Sequence, residues 1–155
     1  MKDERKKEFV LRISQANNVE MILIEYEMVL EYIREAKENK EDKSLYDTNT
    51  DMAGKCVNEL LANLHYEYEP ALALKNLYLY MKSRLRDARY NNDIGALDEV
   101  AGYIEKLHTA YKEVKDNDNS KPIMENTQTV VAGMTYGKNQ TLEILSGNDN
   151  RGFFA

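Results

Sequence analysis

From position 9 to about position 115, apolar residues return at steps of three and four, the spacing of one face of an α-helix. The first stretch is short: after the charged residues 1–8, Phe9, Val10 and Ile13 share one side. A helix this short is marginal alone in water, so its apolar side must dock on the rest of the chain. A long helix follows. Asn17-Asn18-Val19-Glu20 carries a capping-box pattern, in which the Asn17 side chain accepts from a free backbone N–H and Glu20 reaches back. Val19, Ile22, Tyr26, Val29, Ile33 and Ala36 form one face, and Met21, Leu23, Ile24, Met28 and Leu30 widen it past a narrow seam. The pattern predicts a helix of ~22 residues and ~33 Å, buried on more than one side and central to the fold.

Residues 38–43 hold no apolar side chain and predict an exposed connection. A second long helix shows Met52 or Ala53, Val57, Leu60 and Leu64, with Cys56 and Leu61 alongside. Pro70 suits the first position of a third, where its missing N–H costs nothing. That helix carries Leu74, Leu77, Tyr78, Met81, Leu85 and Ala88 on one face. Asn91-Asn92-Asp93 supplies a turn and a cap, and the fourth long helix shows Leu97, Val100, Ile104, Leu107, Tyr111 and Val114. Nothing before Ser120 alternates with the period of two that a sheet needs. Short connections between long helices favour antiparallel neighbours. The expected fold is all-α: an antiparallel four-helix bundle with a short N-terminal helix and a C-terminal extension.

The texture changes at Asp116. A polar linker leads to Val130-Val131-Ala132, the glycine-bearing Gly133-Met134-Thr135-Tyr136-Gly137, Leu142-Glu143-Ile144-Leu145 and a final Arg151-Gly152-Phe153-Phe154-Ala155. Apolar anchors between polar and glycine-rich connections are not a typical disordered composition. We therefore divide the chain into a helical domain, residues 1–115, and an extended tail, residues 116–155, that packs on it.

Composition sharpens this division. There is no Trp, there are 11 Tyr, and the three Phe are Phe9, Phe153 and Phe154, all near the ends. A net charge of -6 argues against nucleic acid or an anionic membrane surface as partner. Cys56 stands alone, and no apolar stretch follows the charged N-terminus, so secretion is unsupported. Uninterrupted apolar runs are far below the ~20 residues that span a bilayer. A cytoplasmic protein without membrane insertion is expected.

Candidate chemistry is sparse. Glu105 and His108 have the Glu-x-x-His spacing of one half of a di-metal carboxylate site, but His65 has Ala62 in the matching position. Cys56 sits among Ala53, Val57 and Leu60 and behaves as a small hydrophobe. Asp98-Glu99 and the Glu25 and Glu27 pair fit solvated or rim positions on charged helices. No glycine-rich phosphate loop or paired-cysteine metal spacing occurs. The expectation is no enzyme, no catalytic residues, no metal and no cofactor.

The run from Asn17 through Tyr26-Glu27 to Ala36 is similar to the first long helix of the FliS family of flagellar secretion chaperones. Leu77-Tyr78-Leu79-Tyr80-Met81, Arg84-Leu85, Ala88, Asp93, Leu97-Asp98-Glu99-Val100, Leu107 and Ala110-Tyr111 resemble its third and fourth helices in order and spacing. The resemblance covers about residues 17 to 115. Asn17-Asn18 replaces the family's Ser-Pro cap, Glu25 an aliphatic residue, Met28 a small one, and Tyr111 a common Trp. It implies a cytoplasmic chaperone that binds the disordered C-terminal segment of flagellin and prevents polymerisation before type III export, with export-apparatus components as further partners.

A client that folds into amphipathic helices on binding needs an apolar groove beyond the chaperone's own core. Leu61, Leu64, Tyr68, Leu72, Leu79 and Tyr80 are the candidate client contacts; the alternative for each is packing against the N-terminal helix or the tail. Tyr78 and Tyr80 lie about 200° apart around a helix, so one of them faces outward. Phe9 and Ile13, or Phe153 and Phe154, are the candidates to occupy the groove when no client is present, because exposed aromatics outside the long helices invite aggregation. Two other readings share the pattern: a helical-bundle module for a different exported protein, and a metal-dependent bundle enzyme.

Overall fold

A computed structural model of the 155-residue chain describes residues 1–67 and 70–117. The expectations for the tail, Phe153 and Phe154 included, and for Tyr68 lie outside the described residues. Five helices follow one another: α1 (Asp3–Gln15), α2 (Asn18–Glu38), α3 (Lys43–Ala62), α4 (Pro70–Asn91) and α5 (Ile94–Asp116). Among the described residues there is no strand.

Helix ends are set by side chains where the sequence places them. Asn17 Oδ1 accepts from the Glu20 N–H at 2.9 Å, and Glu20 Oε2 accepts from the Asn17 N–H at 3.1 Å, completing the capping box of α2. Asp42 accepts from the Leu45 N–H and Asp93 from the Ala96 N–H, both at 3.1 Å. Between α4 and α5 the chain reverses through Asn92, whose φ of 51° lies in the left-handed region that asparagine tolerates.

Helix α2 is the central element. It packs on α3 and α5, with α1 laid against it, while α4 packs on α3 and α5. Lys37 near the end of α2 pairs with Asp98 near the start of α5. Lys43 at the start of α3 donates to the Arg89 carbonyl near the end of α4 at 2.8 Å. The terminal ammonium of Met1 lies 2.7 Å from Glu35, and Arg12 reaches Glu27 further up the same helix.

Some residues depart from expectation. The apolar pattern of α3 begins at Met52, yet its first turns are also buried. Tyr46 donates to the Ala88 carbonyl at 2.8 Å, and Asn49 and Thr50 turn their polar groups onto carbonyls of their own helix. Polar side chains satisfied in this way pack without a hydrophobic signature. Glu25, expected at the rim, is 2% exposed, because α2 is covered on several sides. Val10 and Val114, grouped with apolar faces, are largely exposed at the outer edges of α1 and α5. Cys56 is buried, and burial pushes its thiol well above the ordinary range, in keeping with an inert packing role.

Among buried polar groups, Tyr26 and Tyr78 share a hydroxyl–hydroxyl hydrogen bond of 2.5 Å between α2 and α4, with Tyr111 edge-on to Tyr26 at 5.8 Å. Burial pushes both phenols of the pair above the ordinary tyrosine range. Each hydroxyl has the other as its partner, so deleting one strands the other. We expect Tyr26→Phe to cost about 1–3 kcal/mol, and Tyr26→Phe/Tyr78→Phe together to cost less than the sum of the single changes. Urea unfolding of the four proteins checks this. Because the folded-state phenols are raised, this stability is present below the unfolded value of about 10 and falls as pH rises beyond it.

Candidate functional site

The candidate contacts fall on two separate parts of the molecule. On α4, Leu72 is 63% exposed, Leu79 45% and Tyr80 44%. Tyr78 faces the core, so of the two tyrosines 200° apart it is Tyr80 that faces outward. Leu61 at the end of α3 and Leu64 just beyond it are half-buried against the core. Leu72 and Leu79 are spaced by seven, two helical turns, and so share one outward stripe.

Tyr80 is not loose. Its hydroxyl donates to Glu99 of α5 at 2.5 Å and its ring stands edge-on to Tyr103 at 6.1 Å. Arg84 Nε donates to the same carboxylate at 2.8 Å, and these two donors hold Glu99 below the ordinary carboxylate range. The Asp98-Glu99 pair therefore belongs to helix pairing: each carboxylate anchors α5 to a different neighbour, Asp98 to α2 and Glu99 to α4.

The second place is the docking of α1. Phe9 and Ile13 are wholly buried and belong to the main core. Two guanidiniums flank the Phe9 ring, Arg5 at 4.6 Å and Arg12 at 5.7 Å from its centroid. Arg12 also binds Glu27 of α2 in a forked geometry, at 2.5 and 3.0 Å. On the other side of that carboxylate stands His108 of α5, its Nε2 3.1 Å from Glu27 Oε1. Burial pushes Glu27 upward, but hydrogen bonds and charge from Arg12 and His108 outweigh it and leave the carboxyl below its ordinary range. Three helices thus meet at Glu27.

Glu27 and His108 also alter the chemical reading. His108 meets Glu27, while Glu105 stays exposed. Among the described residues no three His, Cys, Asp or Glu side chains gather as a metal site. No described helix is long and apolar enough to cross a membrane.

With α1 docked on α2, Leu72, Leu79 and Tyr80 remain exposed, so Phe9 and Ile13 do not shield them. The apolar residues singled out from sequence therefore mark an open stripe on α4 and a closed contact on α2.

Residues 1–118, which contain all five helices, match the family described as Flagellar protein FliS. The chain belongs to the FliS family. One relative is the Flagellar secretion chaperone FliS of Bacillus subtilis (strain 168), 30% identical over 103 residues, which are 65% of this chain and 77% of that protein. Two departures from the FliS pattern, Glu25 and Met28, are both buried, so they alter interior packing and leave the exposed surface unchanged.

Arg12, Glu27 and Glu99 were missed as partners from sequence, because partners 15 or more positions apart on different helices leave no local spacing to find. We expect Glu27→Gln to weaken α1 docking by about 1 kcal/mol, a contribution kept modest by partial exposure. Tryptic cleavage at Lys6 and Lys7 then speeds up several-fold while the rest of the protein stays resistant. Because Glu27 is held below its unfolded value, its contribution is present above about pH 4.3 and is lost as pH falls through the lower folded value.

Proposed function

We propose that this protein is a cytoplasmic export chaperone that binds the disordered C-terminal segment of flagellin and prevents its polymerisation before secretion. Membership of the FliS family across the whole helical part carries this reading. The relative from Bacillus subtilis is named a flagellar secretion chaperone, which agrees with it. The outward stripe of Leu72 and Leu79, with Tyr80 beside it, gives an unfolded segment a place to bury apolar side chains. Leu61 and Leu64 extend that contact at the end of α3, and Tyr68 is a further candidate for it.

In the same reading α1 guards a second surface, on α2. Phe9 and Ile13 cover it until client arrives, and Phe153 and Phe154 of the tail are the other candidate cover. Residues 1–115 form the working domain, with α2 to α5 as an antiparallel four-helix bundle; the end-to-start pairings Lys37–Asp98 and Lys43–Arg89 support that arrangement. The protein acts by binding, without catalysis, and hands its client to components of the export apparatus.

Calorimetry with the C-terminal segment of flagellin tests the proposal. The full chain is expected to bind it, Leu72→Ala/Leu79→Ala to bind about tenfold or more weakly, and a chain ending at residue 115 to bind more tightly. No binding by the full chain contradicts the flagellin reading and favours a different exported client. Unchanged or weaker binding by the shortened chain removes the tail as a cover.

A further inference from the structure

On the α3–α4 side, beyond the apolar stripe, a groove of ≈ 380 Å³ opens between the two helices. Its charge is lopsided: Lys55, Lys82, Arg86 and Arg89 line it against one carboxylate, Asp51. Asp51 is shared by Lys55 at 3.4 Å and Arg89 at 3.2 Å. Lys82 and Arg86 make no ion pair among the described residues. In a chain of net charge -6, such a cluster is not the average surface. Like charges held together repel, so the arrangement is most stable when an anion joins it.

The wall of the groove gives a second, independent observation. Gly54 lies within α3, where glycine costs about 1 kcal/mol relative to alanine. Nothing stands within 4 Å of the place its Cβ would take. No internal neighbour requires the glycine, and its bare backbone leaves room for another chain to approach closely.

Position on α4 joins this groove to the apolar stripe. Leu72, Leu79, Lys82, Arg86 and Tyr90 recur at steps of seven, three, four and four, so one face of α4 runs from apolar to cationic. We propose that the groove holds an acidic stretch of the exported client, adjoining the apolar segment seated at Leu72 and Leu79, and that this pairing fixes the client's direction along the helix. The inference rests on the reading of the protein as a chaperone of flagellin. An extended peptide backbone passes Gly54, and its carboxylates face Lys82 and Arg86.

The test is calorimetry with the flagellin C-terminal segment at low and at high salt, using the full chain and two variants. Lys82→Glu/Arg86→Glu should weaken binding by about tenfold or more at low salt, with the difference shrinking at high salt. Gly54→Ala should weaken it about threefold or more, while its thermal midpoint stays equal to or above that of the parent. A client segment with its Asp and Glu changed to Asn and Gln should lose affinity for the parent and show little further loss with the charge-reversed variant. Parent-like binding by both variants overturns the acidic-groove inference and leaves the chaperone reading intact. Absence of binding by the parent overturns both.

Discussion

Everything in this fold follows from the need to cover α2. Four consecutive residues of it, Leu23, Ile24, Glu25 and Tyr26, are buried, and four consecutive positions go fully around a helix. Two neighbours cannot enclose such a turn. Helices α3 and α5 take two sides, and α1 is drawn onto the helix, where burial of Phe9 and Ile13 supplies what a 13-residue helix lacks by itself. A single large aromatic or aliphatic side chain fully buried is worth about 1.5–3 kcal/mol, so two such anchors suffice to hold α1 without making it inseparable.

Polar contacts then give α1 its direction. The Met1 ammonium on Glu35 and Arg12 on Glu27 fix it at two points along α2, and His108 ties the second point to α5. The pairs at Glu27 are partly exposed, so each is modest in strength and matters more for register than for affinity. Helix α4 has the opposite character. Its inward side joins the core through Tyr78, Met81, Leu85 and Ala88, while its outward side keeps Leu72 and Leu79 in water. Among the described residues the α2 surface is covered and the α4 stripe is not.

Periodicity made much of this legible. The capping box of α2, the start of α4 at Pro70, the buried faces of α4 and α5, the inert Cys56 and the split between Tyr78 and Tyr80 all follow from local spacing or chemistry. What stayed hidden depends on distant parts of the chain. Glu25 looks like a rim residue until the number of helices around α2 is known. The early turns of α3 escape the apolar pattern because the buried Asn49 and Thr50 satisfy themselves on their own helix. The meeting of Arg12, Glu27 and His108 joins three helices, and no spacing within one helix encodes it. The proposed client rests on the family resemblance, whereas the charge and shape of the α3–α4 groove came only from the three-dimensional arrangement.

The proposed mechanism requires α1 to be a replaceable cover of α2. Hydrogen exchange of residues 3–15, followed by mass spectrometry with and without the flagellin C-terminal segment, addresses this directly. These amides should be protected in the free protein and lose protection when client is bound, while the amides of α2 stay protected. Protection of α1 that is unchanged or increased in the complex would contradict it.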